Sequence, residues 1–166
     1  MKIQVFSTHP LYDNRIKRHI STLTKYGYKT TYINSSQLFD SANDKFENVK
    51  LIHITESFEK NNIKGVIKAY KVMLKQIKEG QASIVHVHDP LLIPLLYYSK
   101  LKHKITIFDK HESYEKGKGL NAHIGSLFEK LFVKYIDGVV YVNEAQLDYI
   151  GKLGYKHMKM IPNYQS

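Results

Sequence analysis

Two short stretches carry the side chains best able to do chemistry, Ile84-Val-His-Val-His-Asp-Pro90 and Ile105-Thr-Ile-Phe-Asp-Lys-His-Glu-Ser113. Each is a β-branched run that breaks off into histidine and acid. Runs with so little polar alternation read as strands buried on both faces, as in a parallel sheet. The polar residues come where such strands stop, and in open α/β folds ligands bind at the carboxyl ends of strands. His88, Asp89, His111 and Glu112 are therefore the first candidates for a functional cluster. Histidine at such a position can donate to an oxygen-rich substrate and stabilise developing charge. Glu112 can accept hydroxyl protons, orient His111, or cap the segment that follows.

His86 and His88 stand two apart on one strand and so face the same side. His86 reads as a core histidine bonded to its neighbours, and His88, beside Asp89, as the functional one. A His-x-His run followed by acids also raises metal binding, which needs further ligands from Asp109, His111 or Glu112. No metal ligand is assigned on this pattern.

The loop Ser7-Thr-His-Pro-Leu-Tyr-Asp-Asn14 follows the first strand and holds no glycine, so a phosphate cradle of the dinucleotide-binding kind is not expected there. His9, Tyr12, Asp13 and Arg15 can instead line a pocket for a polar ligand. Asp13 also suits the cap of the next helix, which alone would account for it.

The elements that must position these residues alternate along the chain. Strands are predicted at 2–6, 28–34, 49–54, 83–87, 104–108, 139–142 and 158–161. The first helix carries Ile16, Ile20, Leu23 and Tyr26 at helical spacing and stops at Gly27. Residues 35–48 are polar and turn-rich. The helix predicted over 59–79 has an apolar stripe of Ile63, Ile67, Tyr70, Leu74 and Ile77 beside Lys64, Lys68, Lys71, Lys75 and Lys78. A helix runs from Pro90 to Leu101, and 110–120 reads as a mobile loop. The helix over 121–136 is expected to bury Ile124, Leu127, Phe128, Leu131, Phe132 and Tyr135. Asn143 is expected to cap a short helix that ends near Gly151. The whole predicts an α/β fold, Rossmann-like and doubly wound, with a mainly parallel sheet and helices on both faces.

The 166 residues suit one domain, and 43% hydrophobic with 24% charged content is ordinary for a globular protein. Cysteine is absent, which excludes disulfides and thiolate metal sites. The net charge of +10 comes almost wholly from lysine, with Arg15 and Arg18 the only arginines. Base-edge readers lean on arginine, so no nucleic-acid partner is expected. An anionic membrane surface is a partner that the lysine-flanked helix at 59–79 would suit. Met1 leads straight into a strand, and a cytoplasmic location is expected, peripheral to the inner face of the membrane if that helix docks.

Taken in order, Asp13-x-Arg15, Gly27-Tyr28, Val85-His-Val-His-Asp-Pro90, Phe108-Asp-Lys-His-Glu112, Asp137-Gly-Val-Val-Tyr-Val142 and Ile161-Pro-Asn163 resemble the N-terminal domain of GT-B glycosyltransferases. The likeness is to retaining family-four-type enzymes of polysaccharide and glycolipid biosynthesis. It implies that residues 1–166 form the Rossmann-like acceptor-binding half, with a C-terminal donor-binding domain expected outside the chain. It implies that His111 approaches the reacting sugar, and that His9 to Arg15 face the acceptor and the donor phosphates. His88 and Asp89 would line the cleft, and Asn163 would lie near the interdomain hinge. The implied partners are a glycan or lipid-linked saccharide acceptor and the donor-binding domain. A nucleotide-sugar donor is expected for the complete enzyme, and no cofactor for this half alone. Tyr164 stands where the family has glycine. Alternatives are a non-enzymatic glycan-binding or partner module of a split transferase, and a metal-dependent hydrolase.

Overall fold

The computed structural model describes residues 1–10, 13–35, 48–56, 58, 62–113, 117 and 119–162. The chain divides into two compact units, Met1–Val85 and His86–Ser166. The boundary falls inside a strand, so its four residues are shared between them.

The first unit opens with β1 (Lys2–Ser7), α1 (Asn14–Lys25), β2 (Lys29–Asn34), β3 (Val49–His53) and α2 (Ile63–Glu79). The strand order is β3-β2-β1, and both pairings are parallel. Asp13 starts α1: its Oδ1 accepts from the Arg15 and Ile16 backbone N–H groups at 2.9 and 3.4 Å. Ile16 and Ile20 are fully buried one turn apart, each contributing roughly 1.5–3 kcal/mol of apolar burial. Tyr26 does not join them; it caps the helix and is exposed. Gly27, at φ +75°, takes the left-handed turn a side chain resists.

The packed face of α2 differs from the expected stripe. Gly65, Ala69, Met73 and Ile77 are its buried residues, whereas Ile63 is 74% and Ile67 49% exposed. The contact row runs at strict i, i+4 spacing and begins with two small residues. Small side chains let a helix approach closely, and counting only large apolar residues rotates the stripe away from them. Asn62 caps the helix by accepting from the Gly65 N–H at 2.8 Å.

The strand that straddles the boundary is β4 (Ile84–Val87), and every residue in it is buried. The second unit continues with a 3₁₀ turn (Pro90–Leu92), α3 (Ile93–Leu101), β5 (Ile105–Lys110), α4 (Leu120–Phe132), a 3₁₀ turn (Val133–Tyr135), β6 (Gly138–Tyr141), a 3₁₀ turn (Glu144–Gln146), α5 (Leu147–Leu153) and β7 (His157–Met160). The order is β4-β5-β6-β7, with β5–β6 and β6–β7 parallel.

β5 runs two residues past the expected end and takes Asp109 and Lys110 into the sheet. Pro90 opens a 3₁₀ turn before α3 rather than α3 itself. In α4 the buried residues are Gly125 and Glu129, whereas Leu127 and Leu131 are exposed, against expectation. A Cβ at Gly125 would lie 2.8 Å from Pro90 Cβ, so this glycine sets the close approach of α4 to the turn after Asp89. Asn143 makes no side-chain cap. The Gln146 amide does the local work, accepting from Val142 N–H at 3.0 Å and donating to the Lys110 carbonyl at 3.3 Å. α5 ends past Gly151, at Gly154 with φ +77°.

Candidate functional site

The second unit gathers the polar strand ends of β4 and β5. His88 is fully buried, and its Nδ1 lies 3.0 Å from Asp109 Oδ2. The His86 ring stacks on it with centroids 4.8 Å apart and 9° between planes. His86 is buried, in keeping with the core role read for it. His88 is buried too, against the Asp109 carboxylate of the neighbouring strand. Asp89 is buried as well, and its carbonyl accepts from Leu92 N–H at 3.0 Å in the turn it initiates.

His111 is half-buried, one residue beyond the end of β5. Its Nδ1 lies 3.3 Å from the Asp109 carbonyl oxygen. A carbonyl only accepts, so Nδ1 carries the hydrogen in this contact. Asp109 thus serves two histidines, His88 through its carboxylate and His111 through its backbone. Glu112 is exposed beside them.

Lys110, between Asp109 and His111, points the other way, as strand alternation requires. Its Nζ is fully buried and lies 2.8 Å from Glu129 Oε2, itself fully buried. Tyr155 Oη donates to the other carboxylate oxygen at 2.7 Å. The Tyr149 ring sits under the ammonium at 4.8 Å from its centroid. Sequence reasoning missed this cluster. The available signal was a glutamate four residues after Gly125, on a helical row with no large apolar residue between Asn121 and Glu129.

A second ionic cluster fixes the start of β6. Lys100 Nζ lies 2.6 and 2.7 Å from the two Asp137 carboxylate oxygens, and Thr106 N–H donates to Asp137 Oδ2 at 3.0 Å. Burial pushes the Asp137 carboxyl up, but the Lys100 and Thr106 hydrogen bonds outweigh it and hold the group below its ordinary range.

In the first unit, the His9 carbonyl accepts from Tyr32 Oη at 2.7 Å, and His9 N–H donates to Ser7 Oγ at 3.0 Å. His9 Nδ1 is 4.0 Å from Asp13 Oδ2. The Asp13 carboxylate is committed to capping α1, as its position suggested. Arg15 is half-buried, and among the described residues its buried Nε has no hydrogen-bond partner. Tyr12 and Asn163 lie outside the described residues, as do residues 36–47 and most of 114–118.

The family model for Glycosyltransferase Family 4 matches residues 14–164. No curated protein sequence matches the chain. Among solved structures, a sucrose-phosphate synthase from Thermosynechococcus elongatus superposes with a TM-score of 0.67 at 11% identity, over 98% of this chain and 48% of that one. A shorter chain of the same synthase gives 0.66 at 11% identity, over 100% of this chain and 91% of that one. The lipopolysaccharide outer core galactosyltransferase WaaB gives 0.63 at 15% identity, over 100% of this chain and 46% of its own. At these identities the likeness shows a shared fold, the Rossmann-like α/β architecture of GT-B proteins. The chain spans about half the length of the synthase and the galactosyltransferase.

Proposed function

The chain belongs to Glycosyltransferase Family 4, and from that premise we propose that it is the acceptor-binding half of an enzyme that moves a sugar from a nucleotide-sugar donor to a glycan or lipid-linked saccharide. The observation that carries the reading is His111: a half-buried imidazole at the carboxyl end of β5, oriented by the Asp109 carbonyl. Such a group can accept from a sugar hydroxyl and stabilise charge as the glycosidic bond to the leaving diphosphate breaks. Arg15 supports the same reading from the first unit, since a buried guanidinium Nε without a partner suits a substrate phosphate or carboxylate. The family match favours transfer over the metal-hydrolase alternative.

The groups that neutralise the departing diphosphate belong, in this reading, to a donor-binding domain outside residues 1–166. Residues 1–166 alone should then turn over no donor. A panel of nucleotide sugars offered to this chain, and to the same chain joined to its donor-binding half, tests that. Product from the joined protein only supports the proposal, and repeated turnover by the isolated chain contradicts it.

A membrane-bound acceptor is the favoured variant, because α2 exposes Ile63 and Ile67 beside Lys64, Lys68 and Lys71. Exposed apolar side chains flanked by lysine suit an anionic lipid surface. No described helix is long and apolar enough to cross a membrane. Vesicles rich in phosphatidylglycerol should bind the protein in a salt-sensitive way and lose the Lys64→Glu/Lys68→Glu/Lys71→Glu variant. Equal binding of both proteins would refute the docking face.

A further inference from the structure

The amino ends of β1, β2 and β3 carry a polar surface that the transferase reading leaves unused. Lys2 pairs in register with Lys29, Gln4 with Thr31, and Thr31 with Lys50. Side chains alternate along a strand, so these five residues share one face of the sheet in two adjacent cross-strand rows. Parallel sheets normally cover such faces with apolar residues. Here the face borders a cavity of about 550 Å³, lined by these five residues together with Gln81 and others. That volume suits a small-molecule ligand.

Two features of the lining define what it would hold. Lys2 and Lys29 are directly opposite each other in register, Lys2 Nζ donates to Gln81 Oε1, and Lys50 adds a third cation. Among the described lining residues there is no aspartate or glutamate to offset them. Gln4 is 3% exposed, and its Nε2 donates to the Gln76 carbonyl at 2.7 Å. Its Oε1 has no hydrogen-bond partner among the described residues, an unmet acceptor in a buried position. The lysines call for an anion, whereas the amide oxygen and the Thr31 hydroxyl call for a donor. A phosphorylated polyol meets both demands.

We propose that this cavity binds a sugar phosphate, free or as the headgroup of an anionic lipid. Lys2, Lys29 and Lys50 would hold the phosphoryl oxygens, and a ligand hydroxyl would donate to Gln4 Oε1. The site is separate from the first loop: His9, Asp13 and Arg15 follow the carboxyl end of β1, a full strand away from Lys2.

Backbone-amide NMR titration of the 166-residue chain at fixed ionic strength, with glucose 6-phosphate and with inorganic phosphate, tests the proposal. Saturable shifts are expected at Thr30, Thr31, Lys50 and Gln81. The Lys29→Glu/Lys50→Glu variant, altered only at exposed positions, should bind at least about tenfold more weakly, the loss of two charge-assisted hydrogen bonds. Gln4→Leu should weaken glucose 6-phosphate and spare inorganic phosphate, and equal effects on both would overturn the polyol assignment. Lys130→Glu/Lys152→Glu, at exposed positions of α4 and α5 away from the cavity, should change neither. Shifts that fail to saturate, or saturable binding that survives in Lys29→Glu/Lys50→Glu, would overturn the site. Sedimentation with phosphatidylglycerol vesicles separates the sources: loss of vesicle binding in Lys29→Glu/Lys50→Glu assigns a lipid headgroup, and its retention beside lost glucose 6-phosphate binding assigns the free compound.

Discussion

Asp109 and Lys110 are neighbours on β5 and face opposite sides of it, and the two sides use charge differently. On the Lys110 side, ammonium and carboxylate are fully buried, bonded to each other, and completed by Tyr155 and the Tyr149 ring. That side is closed. On the Asp109 side, one histidine is sealed in and the next, His111, is half-buried with its Nδ1 against the Asp109 carbonyl. A buried charge that is completely paired specifies packing and register. A partly exposed imidazole, oriented through one nitrogen, can still meet a substrate. Under the proposed function, the same strand carries an architectural face and a chemical one.

The largest expected effect breaks the closed side. Glu129→Gln or Lys110→Met alone leaves a buried polar group without its counterpart and should cost about 3–5 kcal/mol in urea unfolding. Lys110→Met/Glu129→Leu should recover most of that loss, because paired apolar replacement removes both desolvation costs. A double variant as unstable as the singles would mean the pair contributes more than packing.

Next comes Asp137, which ties β6 to Lys100 and Thr106. Its folded-state carboxyl titrates below the unfolded one, so its stabilisation is present above the unfolded value and is lost as pH falls through the folded one. Asp137→Asn should destabilise the chain by about 1–3 kcal/mol near neutral pH. The gap to the native protein should close in acid, below about pH 4. A gap that stays constant down to strongly acidic pH would detach Asp137 from this role.

The smallest effects sharpen the reading of the helix faces. Leu127→Ser and Leu131→Ser on α4 should each change stability by no more than about 0.5 kcal/mol, as exposed positions do. Ile77→Ala on α2 should cost about 2–5 kcal/mol. Comparable losses at all three positions would place the exposed leucines against something the chain packs on.

The strands were legible because β-branched runs such as Ile84–Val87, buried throughout, and Ile105–Phe108, buried at Thr106 and Phe108, leave little to misassign. The α/β class and the alternation of elements followed from them. The helix faces were less legible. On α2 and α4 the rows in contact are Gly65-Ala69-Met73-Ile77 and Gly125-Glu129, in which the small Gly65, Ala69 and Gly125 and the distantly paired Glu129 are buried without a large apolar side chain to mark them. Lys110 could not be matched to Glu129 because the two are joined only by the tertiary fold. At the site, His111 and His88 stood out by type and position. What sequence could not show was that Asp109, considered there only as a metal ligand, lies against both histidines, and that His88 is sealed in while His111 is not.

The division of β5 into a chemical and an architectural face is tested most directly by His111→Ala in the protein joined to its donor-binding half. Turnover should fall about 10²–10⁴-fold, as loss of a group acting on the transition state does, with the urea unfolding midpoint unchanged. Near-native turnover in a folded His111→Ala protein would contradict the account and remove the Asp109 side of β5 from the reaction.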